Sequence, residues 1–247
     1  MPKQVLFRFY AELNDFLPAH KQQQDFSHTF ELNASVKDMI EAQGIPHTEI
    51  DLILVNGQSV DFSYPVQDGD QISVYPIFEL LDISPVIRLR PKPLRETRFV
   101  LDVHLGRLAT YLRMMGFDTL YRNDYADDEL ALISSSERRI LLTRDRGLLM
   151  RNMVTHGYWL RATHPRQQLV EVLEHFDLFS AVQPFRRCLH CNGLLQPVEK
   201  TAISNQLQSK TRQYYDEFHQ CRACNRIYWK GSHYQHMRQF IDNVLHS

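Results

Sequence analysis

The sequence predicts an α/β protein, a parallel sheet flanked by helices, with a small β-rich module ahead of it and a compact metal-binding piece behind. Three observations carry this expectation. Residues 98–176 alternate short apolar strands with amphipathic helices, the pattern of repeated βα units. Residues 1–78 run strand, strand, helix, strand, strand, punctuated by turn signals. The chain's four cysteines lie in two Cys-x-x-Cys pairs toward its C-terminal end.

In the first module, Val5, Phe7 and Phe9 alternate with polar neighbours, and the pattern returns at 29–32, so an opening hairpin is expected. Ser35 stands where an N-cap belongs, ahead of Val36, Met39 and Ile40 on one helical face, and Gly44 and Pro46 end that helix. Residues 52–55, Asn56-Gly57 and 59–62 read as strand, turn, strand, and Asp68-Gly69-Asp70 turns the chain into a last strand at 71–75. That order of elements is the β-grasp arrangement.

Pro85, Pro91 and Pro93, interleaved with Arg88, Arg90, Lys92, Arg95 and Arg98, disfavour a helix and make residues 79–97 an extended basic connector. Beyond it, 99–101 is an apolar strand, and Leu105, Leu108, Leu112 and Met115 share a helical face that Gly116 stops. A strand at 119–121, a helix at 127–136, a strand at 139–143, a helix at 148–154 ended by Gly157 and a strand at 158–162 follow. Leu169, Val172, Leu173 and Phe176 mark a closing helix.

Ligands of such sheets collect beyond the carboxyl ends of the strands. Asp102 follows the 99–101 strand, Asp145 follows 140–143, and Asp127-Asp128 opens the helix after 119–121. Carboxylates from three segments meeting at one sheet edge would make an oxygen-ligand site for a hard divalent cation. Each also suits a structural role: Asp127 as an N-cap, Asp145 in the turn Arg144-Asp145-Arg146-Gly147, and Asp102 as a cap for the helix near His104. A carboxylate cluster repels itself unless a cation or neighbouring bases neutralise it.

Cys188-Leu189-His190-Cys191 and Cys221-Arg222-Ala223-Cys224 are two knuckles, each able to grip one ion through two thiolates, and together they make a tetrahedral four-thiolate site for structural Zn2+. The 29-residue spacer between the pairs suits a zinc ribbon whose hairpin carries an extended loop. Residues 186–230 hold eight Lys/Arg against three acids, with aromatics interspersed. Arg186, Arg187, Lys210 and Arg212 can track a phosphate backbone while Tyr214 and Tyr215 stack on unpaired bases. Core packing is the expectation for Tyr228 and Trp229, and the final helix, with Met237, Phe240, Ile241 and Val244, is expected to pack back onto the body.

Composition excludes several classes. No run approaches the roughly 18 apolar residues of a membrane span, and the first residues lack a signal-peptide apolar core, so a cytoplasmic location without membrane contact is the default. The net charge of −1 hides an asymmetry: residues 1–80 carry 4 Lys/Arg against 12 Asp/Glu, and residues 81–247 carry 24 against 17. The acidic front is a poor nucleic-acid surface, whereas the basic remainder attracts phosphates.

Two resemblances sharpen this reading. Val55-Asn56-Gly57 and Val66-Gln67-Asp68-Gly69-Asp70-Gln71-Ile72 resemble the ubiquitin-like sulfur carriers, but the chain continues through Pro76-Ile77-Phe78-Glu79 where those carriers end in Gly-Gly. The module is therefore read as a scaffold or a surface for a protein partner. The segments 101–109, Tyr111-Leu112-Arg113, Gly116-Phe117-Asp118-Thr119, Asp127-Asp128-Glu129-Leu130 and 142–148 resemble the PIN-like ribonuclease family named after the C-terminal domain of the Mut-seven exonuclease. That resemblance implies a ribonuclease in which Asp102, Asp127 or Asp128, and Asp145 hold Mg2+ or Mn2+, with Asp102 bridging if two ions bind and Arg107 or Arg144 stabilising phosphoryl charge. A fourth acid, frequent in PIN domains after the next strand, is replaced by Thr163-His164-Pro165, with Asp118 and Asp124 as substitutes. The implied organisation is a ubiquitin-like domain at 1–78, a linker at 79–97, a PIN-like nuclease at 98–183, and a zinc ribbon with a C-terminal helix at 184–247, acting on RNA. The competing reading is an RNA- or ribosome-associated binding module whose acidic residues serve structure alone.

Overall fold

The computed structural model describes residues 2–31, 33–77 and 97–246; the basic connector expected at 79–97 lies outside them except for Thr97. In chain order the elements are β1 (Lys3–Phe9), β2 (Phe26–Phe30), α1 (Val36–Glu41), β3 (Ile50–Val55), β4 (Gln58–Val60), β5 (Gln71–Pro76), β6 (Arg98–Leu101), α2 (Gly106–Met114), β7 (Asp118–Leu120) and α3 (Asp127–Ser136). They continue with β8 (Ile140–Thr143), α4 (Arg146–Leu149), β9 (Gly157–Trp159), α5 (Pro165–His175), β10 (Leu195–Val198), α6 (Lys200–Ile203), α7 (Ser209–Tyr214), β11 (Phe218–Cys221), β12 (Ile227–Trp229) and α8 (Ser232–Leu245). The chain divides into two compact units, Met1–Glu96 with Ala126–Leu160, and Thr97–Tyr125 with Arg161–Ser247.

The first unit is built on a five-stranded sheet ordered β2-β1-β5-β3-β4, with β1 and β5 parallel and the other pairs antiparallel. The period-2 pattern of β1 turns Val5, Phe7 and Phe9 inward, where they meet Ile53 and Val55 of β3 and Ile72 and Val74 of β5 in one core. Burying each such side chain contributes roughly 1.5–3 kcal/mol. Helix α1 covers this face through Val36, Met39 and Ile40, and it starts in a full capping box between Ser35 and Asp38. This is the β-grasp fold the pattern foretold. Segment 126–160 belongs to the same unit: α3, then the parallel pair β8 and β9, joined through α4. Trp159, at the end of β9, packs against the β-grasp core.

Two elements here differ from the expectation. Helix α4 is a single turn at Arg146–Leu149, where 148–154 was expected, because Asp145 caps it early and the chain turns back through Val154 N to Arg151 O. Asp127 is not the N-cap of α3: Ala126 occupies that position, without a side-chain bond, and Asp127 is the first helical residue.

In the second unit, β6 and β7 pair in parallel and α2 packs on α5, with Phe99 meeting Phe117 and Phe176 edge-on. Helix α2 ends in a Schellman turn, Phe117 N bonding Leu112 O and Gly116 N bonding Arg113 O. Gly116 has φ +100°, and a Cβ there would sit 2.2 Å from the backbone oxygen of Gln183. The last carbonyls of α2, at Met114 and Met115, accept from Phe185 N and Gln183 N, so the lead into the cysteine region is stitched to the helix end. The strand expected at 158–162 stops at Trp159; the Arg161 and Ala162 amides instead donate to the two carboxylate oxygens of Glu171, at 2.8 and 2.9 Å. The antiparallel sheet β10-β11-β12 follows, and α8 packs back as expected: Ile241 and Val244 are buried and Phe240 meets the Tyr111 ring at 4.6 Å.

Candidate functional site

The four expected carboxylates sit in distinct local settings. Asp102 follows β6 and is buried, 7% exposed, at the start of a short 3-10 turn whose cap it does not make with its side chain. Asp127 and Asp128 open α3 and share Arg151, which lies 3.5 Å from the Asp127 carboxylate and hydrogen bonds that of Asp128. Asp145 follows β8 and accepts from Gly147 N at 2.7 Å, while its own amide donates to Thr143 Oγ1 at 2.9 Å. Asp145 is thus a helix cap as well as a strand-end carboxylate. Arg107 and Arg144 are both exposed. Neither substitute for a fourth acid stands unengaged: Asp124 pairs with Arg122, and Asp118 is bound by Asn192 and Arg187.

The cysteines form a true cluster. Cys188, Cys191, Cys221 and Cys224 place their Sγ atoms within 4.8 Å of one another, the only such group of three or more His, Cys, Asp or Glu side chains among the described residues. Sulfurs around a tetrahedral zinc ion lie about 3.8 Å apart, from Zn–S bonds near 2.3 Å. The Cys188–Cys224 and Cys191–Cys221 separations, 3.6 and 3.4 Å, match that cage.

The two knuckles repeat one design. Each has the form Cys-x-x-Cys-Asn, and both asparagines, Asn192 and Asn225, take positive φ. In each, the asparagine amide donates to the carbonyl of the first cysteine, and the amide of that cysteine donates to the carbonyl of the residue after the asparagine. At Gly193 a Cβ would meet Cys221 Sγ at 2.8 Å, so the cluster itself requires glycine there. Burial pushes the Cys188 thiol up, but bonds from Tyr228 and from the Cys191 and His190 amides outweigh it and bring the group to about 6, so one sulfur is readied as a thiolate. Burial drives Cys191 the other way, to about 12.

The first knuckle is locked into the α2–β7 region. Arg113, 4% exposed, donates to the carbonyls of Thr119, Leu189 and His190 at 3.0, 3.1 and 2.9 Å. Burial lowers its pKa, while the charges of Cys188 and Cys191 oppose that shift. Asn192 accepts from Thr119 N and donates to Asp118. Arg187 donates to the Gly116 and Asn192 carbonyls and pairs with Asp118 at 3.3 Å, so its guanidinium is tied to the first knuckle and the end of α2.

The comparisons agree with the residues. A family model described as the Mut7-C RNAse domain matches residues 97–241, more than half of the chain, and one described as Mut7-C ubiquitin matches residues 2–82. The chain belongs to the Mut7-C RNAse domain family. No curated protein and no solved structure matches it. No helix among the described residues is long and apolar enough to cross a membrane.

Within the Mut7-C RNAse domain, the sequence reading missed Arg113, whose signal was a charge inside the apolar run Leu112-Arg113-Met114, and Asn192, whose signal was its repetition after both cysteine pairs. It also placed Tyr228 and Trp229 in the core. Tyr228 instead directs its hydroxyl to Cys188 Sγ at 3.1 Å, and Trp229 is 39% exposed, leaning on Tyr215. Tyr214 is 70% exposed.

Proposed function

We propose that this chain is a divalent-metal-dependent ribonuclease that hydrolyses RNA phosphodiesters, with structural zinc in its cysteine cluster. The observation that carries the reading is the Mut7-C RNAse match, whose span contains Asp102, Asp127, Asp128 and Asp145. Carboxylate oxygens suit Mg2+ or Mn2+, as thiolates suit zinc. Mg2+ or Mn2+ held by such carboxylates would lower the pKa of the attacking water and stabilise charge on the phosphoryl oxygens.

The chain's own groups supply the rest. Gly147 N fixes one carboxylate oxygen of Asp145 and so orients the other. Arg151 holds Asp127 and Asp128 against mutual repulsion and yields Asp127 to a cation. Arg107 and Arg144 offer guanidinium forks to the phosphate. Arg186, Lys210 and Arg212 follow the backbone while Tyr214 and Tyr215 stack on bases, a use that the exposure of Tyr214 supports.

One observation favours a second reading, an RNA-binding module without strong catalysis: Arg151 already neutralises two of the carboxylates and Asp145 already caps a helix. Cleavage of end-labelled single-stranded RNA with Mn2+ or Mg2+ separates the two. The nuclease reading expects Asp102→Asn and Asp145→Asn, folded as the wild type, each to lose at least about 100-fold in rate. Cleavage unchanged by both substitutions overturns the site; binding without any cleavage by the wild type leaves the module.

A further inference from the structure

The loop that carries Asp145 is held on one side by the first unit's ubiquitin-like module and on the other by Trp159 of β9, which that module holds in turn. On one side, the Arg146 guanidinium lies over two rings, 4.8 Å from the Phe16 centroid and 4.4 Å from that of Trp159, and its Nη1 donates to the Phe16 carbonyl at 3.2 Å. On the other side, Trp159 Nε1 donates to the Arg144 carbonyl at 3.1 Å, and Trp159 N donates to Glu49 Oε1 at 2.6 Å. Glu49 is 2% exposed, so this is a buried carboxylate committed to a backbone amide of β9. His47 extends the seam, bridging the Glu41 carboxylate and the Val154 carbonyl at 2.7 and 2.8 Å.

These contacts bracket residue 145. The carbonyl before it and the side chain after it are both fixed by groups whose other partners are Phe16 and Glu49. A seam needed only for cohesion has no reason to grip the two neighbours of one strand-end carboxylate with a planar cation, an indole N–H and a backbone carbonyl together.

We propose that the ubiquitin-like module is a brace for the Asp145 loop, with Arg146 as the positioning residue clasped between Phe16 and Trp159. The proposal rests on the nuclease reading above for its catalytic consequence and on the observed contacts alone for the brace itself. Phe16, Glu49 and His47 are then spent on the chain's own segment and are not surface for another protein.

The test uses the full-length chain. Arg146→Lys keeps the charge and removes the planar fork from outside the β-grasp core; Phe16→Leu keeps apolar volume and removes the ring. Amide hydrogen exchange is followed at residues 144–147, and kcat and KM are measured on a single-stranded RNA oligonucleotide with Mn2+. The brace expects each variant to speed exchange at 144–147 at least about fivefold and to lower kcat about tenfold with KM unchanged. The double variant should be no worse than the worse single one, because both residues act through one contact. Unaltered exchange in Arg146→Lys overturns the proposal, as do multiplicative losses in the double variant, which would mark Arg146 as acting on RNA directly. A wild type that cuts no RNA sinks the nuclease reading, and the exchange arm still decides the brace: faster exchange upholds it and unchanged exchange ends it.

Discussion

Thr119, in strand β7, gives its backbone amide to the side chain of Asn192, 3.0 Å away in the first cysteine knuckle. A side chain beside a zinc-type ligand thus completes the hydrogen bonding of a nuclease-family strand. Asn192 also holds φ +70°, a conformation asparagine tolerates better than alanine. Asn192→Ala leaves a buried amide unpaired and strains the backbone, so it should cost about 2–4 kcal/mol. Denaturant unfolding of the metal-loaded protein measures it; a loss below about 1 kcal/mol would show that the contact is incidental.

Arg113 makes the stronger link. Arg113→Met preserves its apolar stem and strips a charged donor from three carbonyls, two of them inside Cys188-Leu189-His190-Cys191. Destabilisation of about 2–4 kcal/mol is expected, together with faster zinc release to a chromophoric chelator. Normal stability with normal release would contradict the coupling.

Tyr228 acts on the sulfur itself. Its hydroxyl meets Cys188 Sγ while accepting from Leu189 N. Tyr228→Phe should weaken zinc binding about 10- to 100-fold, as the loss of a hydrogen bond to a ligand does at metal sites. Competition against a calibrated chelator reads this, with Tyr215→Phe as the comparison variant.

Gly116→Ala tests the end of α2. The new Cβ would collide with the Gln183 carbonyl oxygen at a positive φ, and neither side of the contact is a flexible side chain. A loss of at least about 3 kcal/mol, or failure to accumulate as soluble protein, is expected.

Tyr214 tests the proposed RNA surface. It is too exposed for Tyr214→Ala to change the unfolding midpoint, whereas loss of one stacked base costs about 1–3 kcal/mol of binding. Fluorescence anisotropy with labelled single-stranded RNA separates these effects. Arg187→Ala should do the reverse, lowering stability through Gly116, Asn192 and Asp118.

Much of this architecture was readable in the residues, for reasons that differ by element. The β-grasp strands declared themselves through period-2 burial at Val5, Phe7 and Phe9, and α1 through a capping box that is local in sequence. The cysteine cluster was legible because two short spacings fix its chemistry. What escaped were long-range polar contacts. Nothing near Arg113 announces carbonyls 76 and 77 positions away, and nothing near Arg146 announces Phe16, 130 positions earlier. The ties of Arg187 to Gly116 and Asp118 escaped for the same reason: a basic residue in a basic stretch reads as surface until its distant partners are known. Strand lengths failed where side chains capture amides, as Glu171 does after β9.

The seam at Trp159 bears on how the chain is made. The Mut7-C RNAse match starts at residue 97, yet Arg146 and Trp159 find their partners in residues that leave the ribosome more than a hundred positions sooner. At translation rates of about 5–20 residues per second, the module has several seconds in which to fold before they emerge. It can therefore act as an intramolecular template, receiving the indole and the guanidinium as they appear. A polypeptide begun at residue 97 would be born without that template, with the Trp159 indole lacking the β-grasp core it packs against and the Val154 carbonyl lacking its histidine. The boundary that sequence similarity draws thus runs across the contacts of Arg146 with Phe16 and of Trp159 with Glu49.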